Sequence, residues 1–249
     1  RGWSQDEWFK GFGNQSADAL KALDEDIPWL TDALKTRLPK WTDGWTPLVA
    51  MVHGDLHGAN VLVDLHGAAW VIDFATVREG ESIFYDLSRL LISMLFENCQ
   101  VGSGEELDAA CEMTEKIFSS ADLRNSLAKT LVSDQEFPRL GVACDTALRV
   151  LQALPGLVTT AATGQRLRQE PRDADFQTLV FYLVMLDRLL RILTYEEGAS
   201  AHQRMWALHA ASKLAHQLKQ QWDHAPEGLG SITPSLHSMS RPTTAASLG

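Results

Sequence analysis

Cysteine, basic charge and long apolar runs are all scarce in this chain, and each shortage removes a class of function. Its cysteines are Cys99, Cys111 and Cys144. They are odd in number, far apart and without a C-x-x-C pair, so neither a disulfide framework nor a cysteine zinc site is indicated, and a reducing compartment is the expectation. Lysine and arginine number 22 against 32 aspartates and glutamates, for a formal net charge of -10. Non-specific nucleic-acid binding relies on clustered Lys and Arg, so no nucleic-acid partner is expected, and cationic or metal-bound partners fit better. The longest apolar stretch, LVFYLVMLDRLLRIL at 179–193, is interrupted by Asp187, Arg188 and Arg191. It falls short of the roughly 20 apolar residues a bilayer span requires and reads as a buried helix, so no membrane partner is expected. Nothing at the start resembles a signal peptide, and because the chain opens on Arg1 it reads as a fragment. A cytoplasmic location follows as the expectation.

What is present is enough apolar residue, 45% of 249, to bury a sizeable core. Leu20, Leu23, Ile27, Leu30, Leu34 and Leu38 recur at helical spacing over 15–38, with Pro28 marking a kink or break. Short β-branched runs around His66-Gly67, within 49–74, form the strand-rich part. Helical periodicity then returns at about 83–98, 104–119, 136–153, 174–196 and 200–223, with a weaker pattern near 122–132. After His224 the composition turns to Ser, Thr, Pro and Gly, which predicts a disordered tail over 225–249. The fold class expected is mainly α with a small β-hairpin segment.

That segment carries the chemistry. In HGDLHGANVLVDLHGAAWVIDF, residues 53–74, Asp55 lies in a turn after an apolar run, Asn60 follows five residues later, and Asp73 closes a strand after a hairpin. Folding the hairpin back can bring all three to one end of a small sheet. Asn60 and Asp73 are oxygen donors that suit Mg²⁺, a hard cation that keeps waters and substrate phosphates in its remaining positions. The carboxylate of Asp55 can accept a proton from an attacking hydroxyl, or orient it. Phosphoryl transfer is the reaction this set fits, because positioning and charge neutralisation supply most of its catalysis.

HGDLHGAN followed by VIDF resembles the H-G-D-x-x-x-x-N and I-D-[FW] signature of the aminoglycoside phosphotransferase and choline kinase-like families, relatives of protein kinases, and YDLSRLL at 85–91 resembles the D-L-[AS]-x-L segment that follows there. The resemblance covers about residues 49–95. It implies a protein-kinase-like C-terminal lobe over 1–224, with catalytic and metal motifs at 49–95 and a helical substrate side at 96–224. Asp55 would be the catalytic base or hydroxyl-orienting residue, and Asn60 and Asp73 would hold Mg²⁺ on the phosphates of ATP. His53 would support the loop, and Asp86 would accept backbone N–H groups from it. His53-Gly54-Asp55, in place of an H-R-D triplet, favours a small-molecule hydroxyl over a protein as acceptor. Ala75 departs from the Gly of the protein-kinase D-F-G.

The clamp of that fold also needs a β-rich N-terminal lobe with a Gly-rich loop and a strand lysine. GFGNQSA at 11–17 is a poor Gly-rich loop, and no V-A-I-K-like segment follows it. The nucleotide-covering lobe is therefore expected upstream or in another chain. The alternative is a catalytically silent kinase-like binding module acting through protein contacts.

Other features read as structural. His57 and His66 are loop residues without zinc spacing. His202, His209 and His216 recur every seven residues as a polar helix face, since i, i+7 lies two turns apart. GQRLRQEPR at 164–172 reads as a solvated loop, and the tryptophans as helix packing.

Overall fold

The computed structural model describes residues 13–36, 48–119, 137–143, 145–147, 149–150, 171–193 and 199–223. The pattern near 122–132, the tail at 225–249 and Arg166 and Arg168 lie outside them, while Pro171 and Arg172 open a helix. Five long helices are described: α1 (Gly13–Thr36), α2 (Phe84–Ile92), α3 (Gly104–Ser119), α4 (Pro171–Ile192) and α5 (Ala201–Asp223). Residues 138–143 and 145–147 are helical as well.

The helix α5 is the hub, packed by α1, α3 and α4, while α2 lies on α4. This explains its composition: Met205, Trp206, Ala207, Leu208, Ala210, Ala211, Leu214, Ala215 and Leu218 are all buried, which requires apolar residues on several sides rather than one stripe. Small alanines let the neighbours approach, and Trp206 fills the gap, its ring 4.5 Å from that of Phe96. The Trp206 indole N–H donates to the Thr114 hydroxyl of α3 at 2.7 Å, and that hydroxyl donates to the carbonyl of Ala110, so the buried polar atoms are satisfied. Ser200 caps α5 reciprocally: its hydroxyl accepts the Gln203 N–H at 3.1 Å, and its own N–H donates to Gln203 Oε1 at 2.8 Å.

Pro28 lies inside α1, which runs through it from Gly13 to Thr36. Leu20, Leu23 and Leu30 are buried, with Ile27 and Leu34 packed against the same core. The stretch predicted as one helix over 83–98 divides into α2 and a π turn, Ser93–Glu97, in which the Asn98 N–H donates to the Ser93 carbonyl at 2.8 Å.

Four strands lie between α1 and α2: β1 (Val49–Val52), β2 (Val61–Val63), β3 (Ala69–Val71) and β4 (Arg78–Ser82). They make two antiparallel pairs, β2 with β3 and β1 with β4. The second pair is additional to the hairpin expected. The strand β4 reads REGES, with no apolar alternation to announce it, and Gly80 at φ 77° accompanies the irregular register between Ala50 and Val52.

Candidate functional site

The loop from His53 to Asn60 joins β1 to β2, and the segment from Ile72 to Thr76 joins β3 to β4. Backbone geometry ties them. Gly54 adopts φ +88°, and a Cβ there would lie 2.1 Å from the Thr76 carbonyl oxygen, so only glycine lets the two segments touch. The Thr76 hydroxyl donates to the His53 carbonyl at 2.8 Å. His53, buried, donates from Nε2 to the Ile72 carbonyl at 2.7 Å, and its ring packs 5.1 Å from that of Phe74. Since a carbonyl only accepts, the Nε2–H tautomer is required, and Nδ1 has no partner among the described residues.

Asp86, in the first turn of α2, accepts the N–H of His53 at 2.6 Å on Oδ2 and that of Gly54 at 2.9 Å on Oδ1. One carboxylate thereby fixes the peptide groups that lead into Asp55, with two charge-assisted hydrogen bonds. Asn60, buried, donates from Nδ2 to the Asp55 carbonyl at 3.0 Å, while its own carbonyl accepts the Ile72 N–H at 3.0 Å. Asp55, Asn60 and Asp73 are therefore joined through one hydrogen-bonded frame, with Asp73 covalently next to Ile72.

Asp73 is exposed, at φ 62° and ψ 64°, which makes it the one non-glycine residue with positive φ among those described. Backbone strain of this kind collects at functional sites. Asn60 carries an amide oxygen that its Nδ2 contact with Asp55 leaves available, and Asp73 a carboxylate, oxygen donors of the kind Mg²⁺ takes. Among the described residues no three His, Cys, Asp or Glu gather at one point. His209 and His216 instead pair with acids of two different helices, Glu115 at 3.5 Å and Asp26 at 3.4 Å. His66 belongs to the hairpin turn, where Asp64 Oδ1 accepts the N–H groups of Ala68 and His66. These bonds, Ala68's first, hold the Asp64 carboxyl below its ordinary pKa.

Sequence reasoning missed the residues that grip Asp55 and its loop from behind. Arg89 Nε donates to Asp55 Oδ1 at 3.2 Å, and Nη1 donates to both oxygens of Glu97 at 2.8 Å. Burial works against the Arg89 charge, but Glu97, joined by Asp55, outweighs it and pushes the guanidinium pKa above its ordinary value. Across Asp55, His57 Nε2 stands 3.7 Å from Oδ2. The Ser93 hydroxyl accepts the Gly58 N–H at 3.0 Å and the Asn98 side-chain amide at 3.1 Å. A signal was available: Asp86, Arg89 and Glu97 are the charges in FYDLSRLLISMLFE, residues 84–97, and all three engage the site or its clamp.

A family model described as Ternary complex associated domain 9 matches residues 14–182. No curated protein and no solved structure matches.

Proposed function

The chain belongs to the ternary complex associated domain 9 family, and for this member we propose the helical lobe of a phosphotransferase that moves the γ-phosphate of ATP to a hydroxyl of a small molecule. The observation that carries the reading is the frame in which Asp86 fixes the peptides before Asp55 while His53 and Asn60 both bind Ile72. It ties the backbone of half-exposed Asp55 to buried Asn60 and, through Ile72, to the chain that leads into exposed Asp73. In the proposed step the acceptor oxygen bonds to the γ-phosphorus, the bond from that phosphorus to the bridging oxygen breaks, and ADP leaves with its electron pair. Asp55 orients the hydroxyl and takes its proton. Asn60 and Asp73 would hold Mg²⁺, whose contribution when bound is to neutralise phosphate charge.

A nucleotide-covering lobe, from sequence beyond this chain or from another chain, completes the proposal. Its support is the strand region: Met51, Leu62, Val63, Leu65, Trp70 and Phe74 are all exposed there, Trp70 at 62%. Apolar side chains left in water are what a covering lobe would bury.

Transfer from radiolabelled ATP to a panel of amino-alcohols and aminoglycosides tests both parts. Residues 1–249 alone are expected to label nothing above an Asp55→Ala control, because one lobe neither covers the nucleotide nor excludes water. With the covering lobe, Asp55-dependent label should enter at least one hydroxyl compound. A covered protein that labels none contradicts the phosphotransferase reading. Robust Asp55-dependent turnover by 1–249 alone contradicts the need for the lobe.

The same exposed apolar residues favour a second reading, a silent binding module. That reading expects Asp55→Ala to leave partner binding intact and no transfer in any assembly.

A further inference from the structure

Asp55 has its side chain 49% exposed, whereas that of Arg89, which touches it, is 12% exposed. A carboxylate on a loop, half in water, rotates freely unless something fixes it. Arg89 is itself fixed, because Glu97 takes Nη1 with both oxygens while Nε reaches Asp55 Oδ1. The planar guanidinium spans two carboxylates in one geometry, which a lysine cannot do. Glu97 ends the π turn, and its carbonyl accepts the Gln203 side-chain amide of α5 at 3.0 Å. The grip thus runs from the buried helix α5 to the half-exposed carboxylate of Asp55.

We propose that Arg89 is a positioning residue for Asp55: it holds Oδ1, anchored by Glu97, and turns Oδ2 toward the acceptor hydroxyl. What Asp55 does once positioned rests on the phosphotransferase reading; that Arg89 positions it rests on the geometry alone. An ion pair with one end half in water adds little stability, so its value lies in orientation.

Carboxyl labelling with a water-soluble carbodiimide and an amine, read by mass spectrometry on folded protein, tests this without any turnover. Asp55 and Asp73 are followed in the wild type, Arg89→Met, Arg89→Lys and Glu97→Gln, with circular dichroism confirming the fold. The expected result is a several-fold rise in Asp55 labelling in Arg89→Met and Glu97→Gln, a smaller rise in Arg89→Lys, and unchanged labelling of Asp73. Asp55 labelling that stays at the wild-type rate in Arg89→Met, or Asp55 and Asp73 rising together, would overturn the proposal. If the covered wild type transfers phosphate, Arg89→Met should lower kcat by about 100-fold, the cost of a misplaced group, while KM for Mg²⁺-ATP stays within about twofold. If the wild type transfers none, the phosphotransferase reading fails and the labelling still decides the role of Arg89.

Discussion

Asp73 carries two demands at once. It is exposed to solvent, and its backbone sits at φ 62°, a region where a Cβ is disfavoured and aspartate is better tolerated than most residues. Asp73→Gly removes the strain together with the ligand. The variant is expected to be as stable as the wild type or up to about 1 kcal/mol more stable in urea unfolding, since glycine's extra freedom in the unfolded chain offsets part of the gain, while losing its response to Mg²⁺-ATP. Marked destabilisation would mean that the Asp73 side chain supports the fold. This residue was legible because Asp55, Asn60 and Asp73 lie close along the chain in a recognisable order. The charge of Arg89 in an apolar stretch was visible, but its role was not, since its contact with Asp55 spans 34 positions and arises only from how α2 lies behind the loop. The left-handed backbone of Asp73 is compatible with its residue type but not announced by it.

At the scale of elements, the α3–α5 contact carries a pH response. Burial holds the His209 pKa below its ordinary 6.5, with Lys213 acting in the same direction and Glu115 opposing. A histidine whose folded pKa is depressed binds protons more readily in the unfolded chain, so stability is complete above pH 6.5 and falls as the pH drops toward the folded pKa. Glu115, lowered from 4.5 chiefly by its hydrogen bond from Lys213, adds stability that is lost at still lower pH, through its folded pKa. Thermal unfolding from pH 7.5 to 5.5 should therefore show a falling midpoint, and His209→Gln should flatten it; an unchanged slope contradicts the assignment. The histidine stripe on α5 was readable from its seven-residue repeat, but the acids that face it were not, because they come from α1 and α3. The π turn was equally hidden. Its Ser93–Glu97 sequence continues the apolar pattern of α2, and only the Asn98 to Ser93 hydrogen bond distinguishes it.

For the whole molecule, charge and apolar surface divide. The helices bury their apolar residues around α5, whereas the strand region exposes its own on both faces: Leu62 pairs with Trp70 on one side, and Val63 and Val71 lie on the other, all four exposed. A mainly helical body with its strands between the first two helices was legible from periodicity. The second strand pair was not, because the charged β4 owes its extension to pairing with β1. Among the described residues no helix is long and apolar enough to cross a membrane. The central claim is that Asp55, Asn60 and Asp73 form one Mg²⁺-nucleotide site, and amide NMR titration of the protein with Mg²⁺-ATP tests it most directly, because it registers even weak binding. The account predicts shifts concentrated at Gly54–Asn60 and Ile72–Thr76 that require Mg²⁺ and disappear in Asp73→Asn; no shifts there at millimolar Mg²⁺-ATP, or equal shifts in Asp73→Asn, would contradict it.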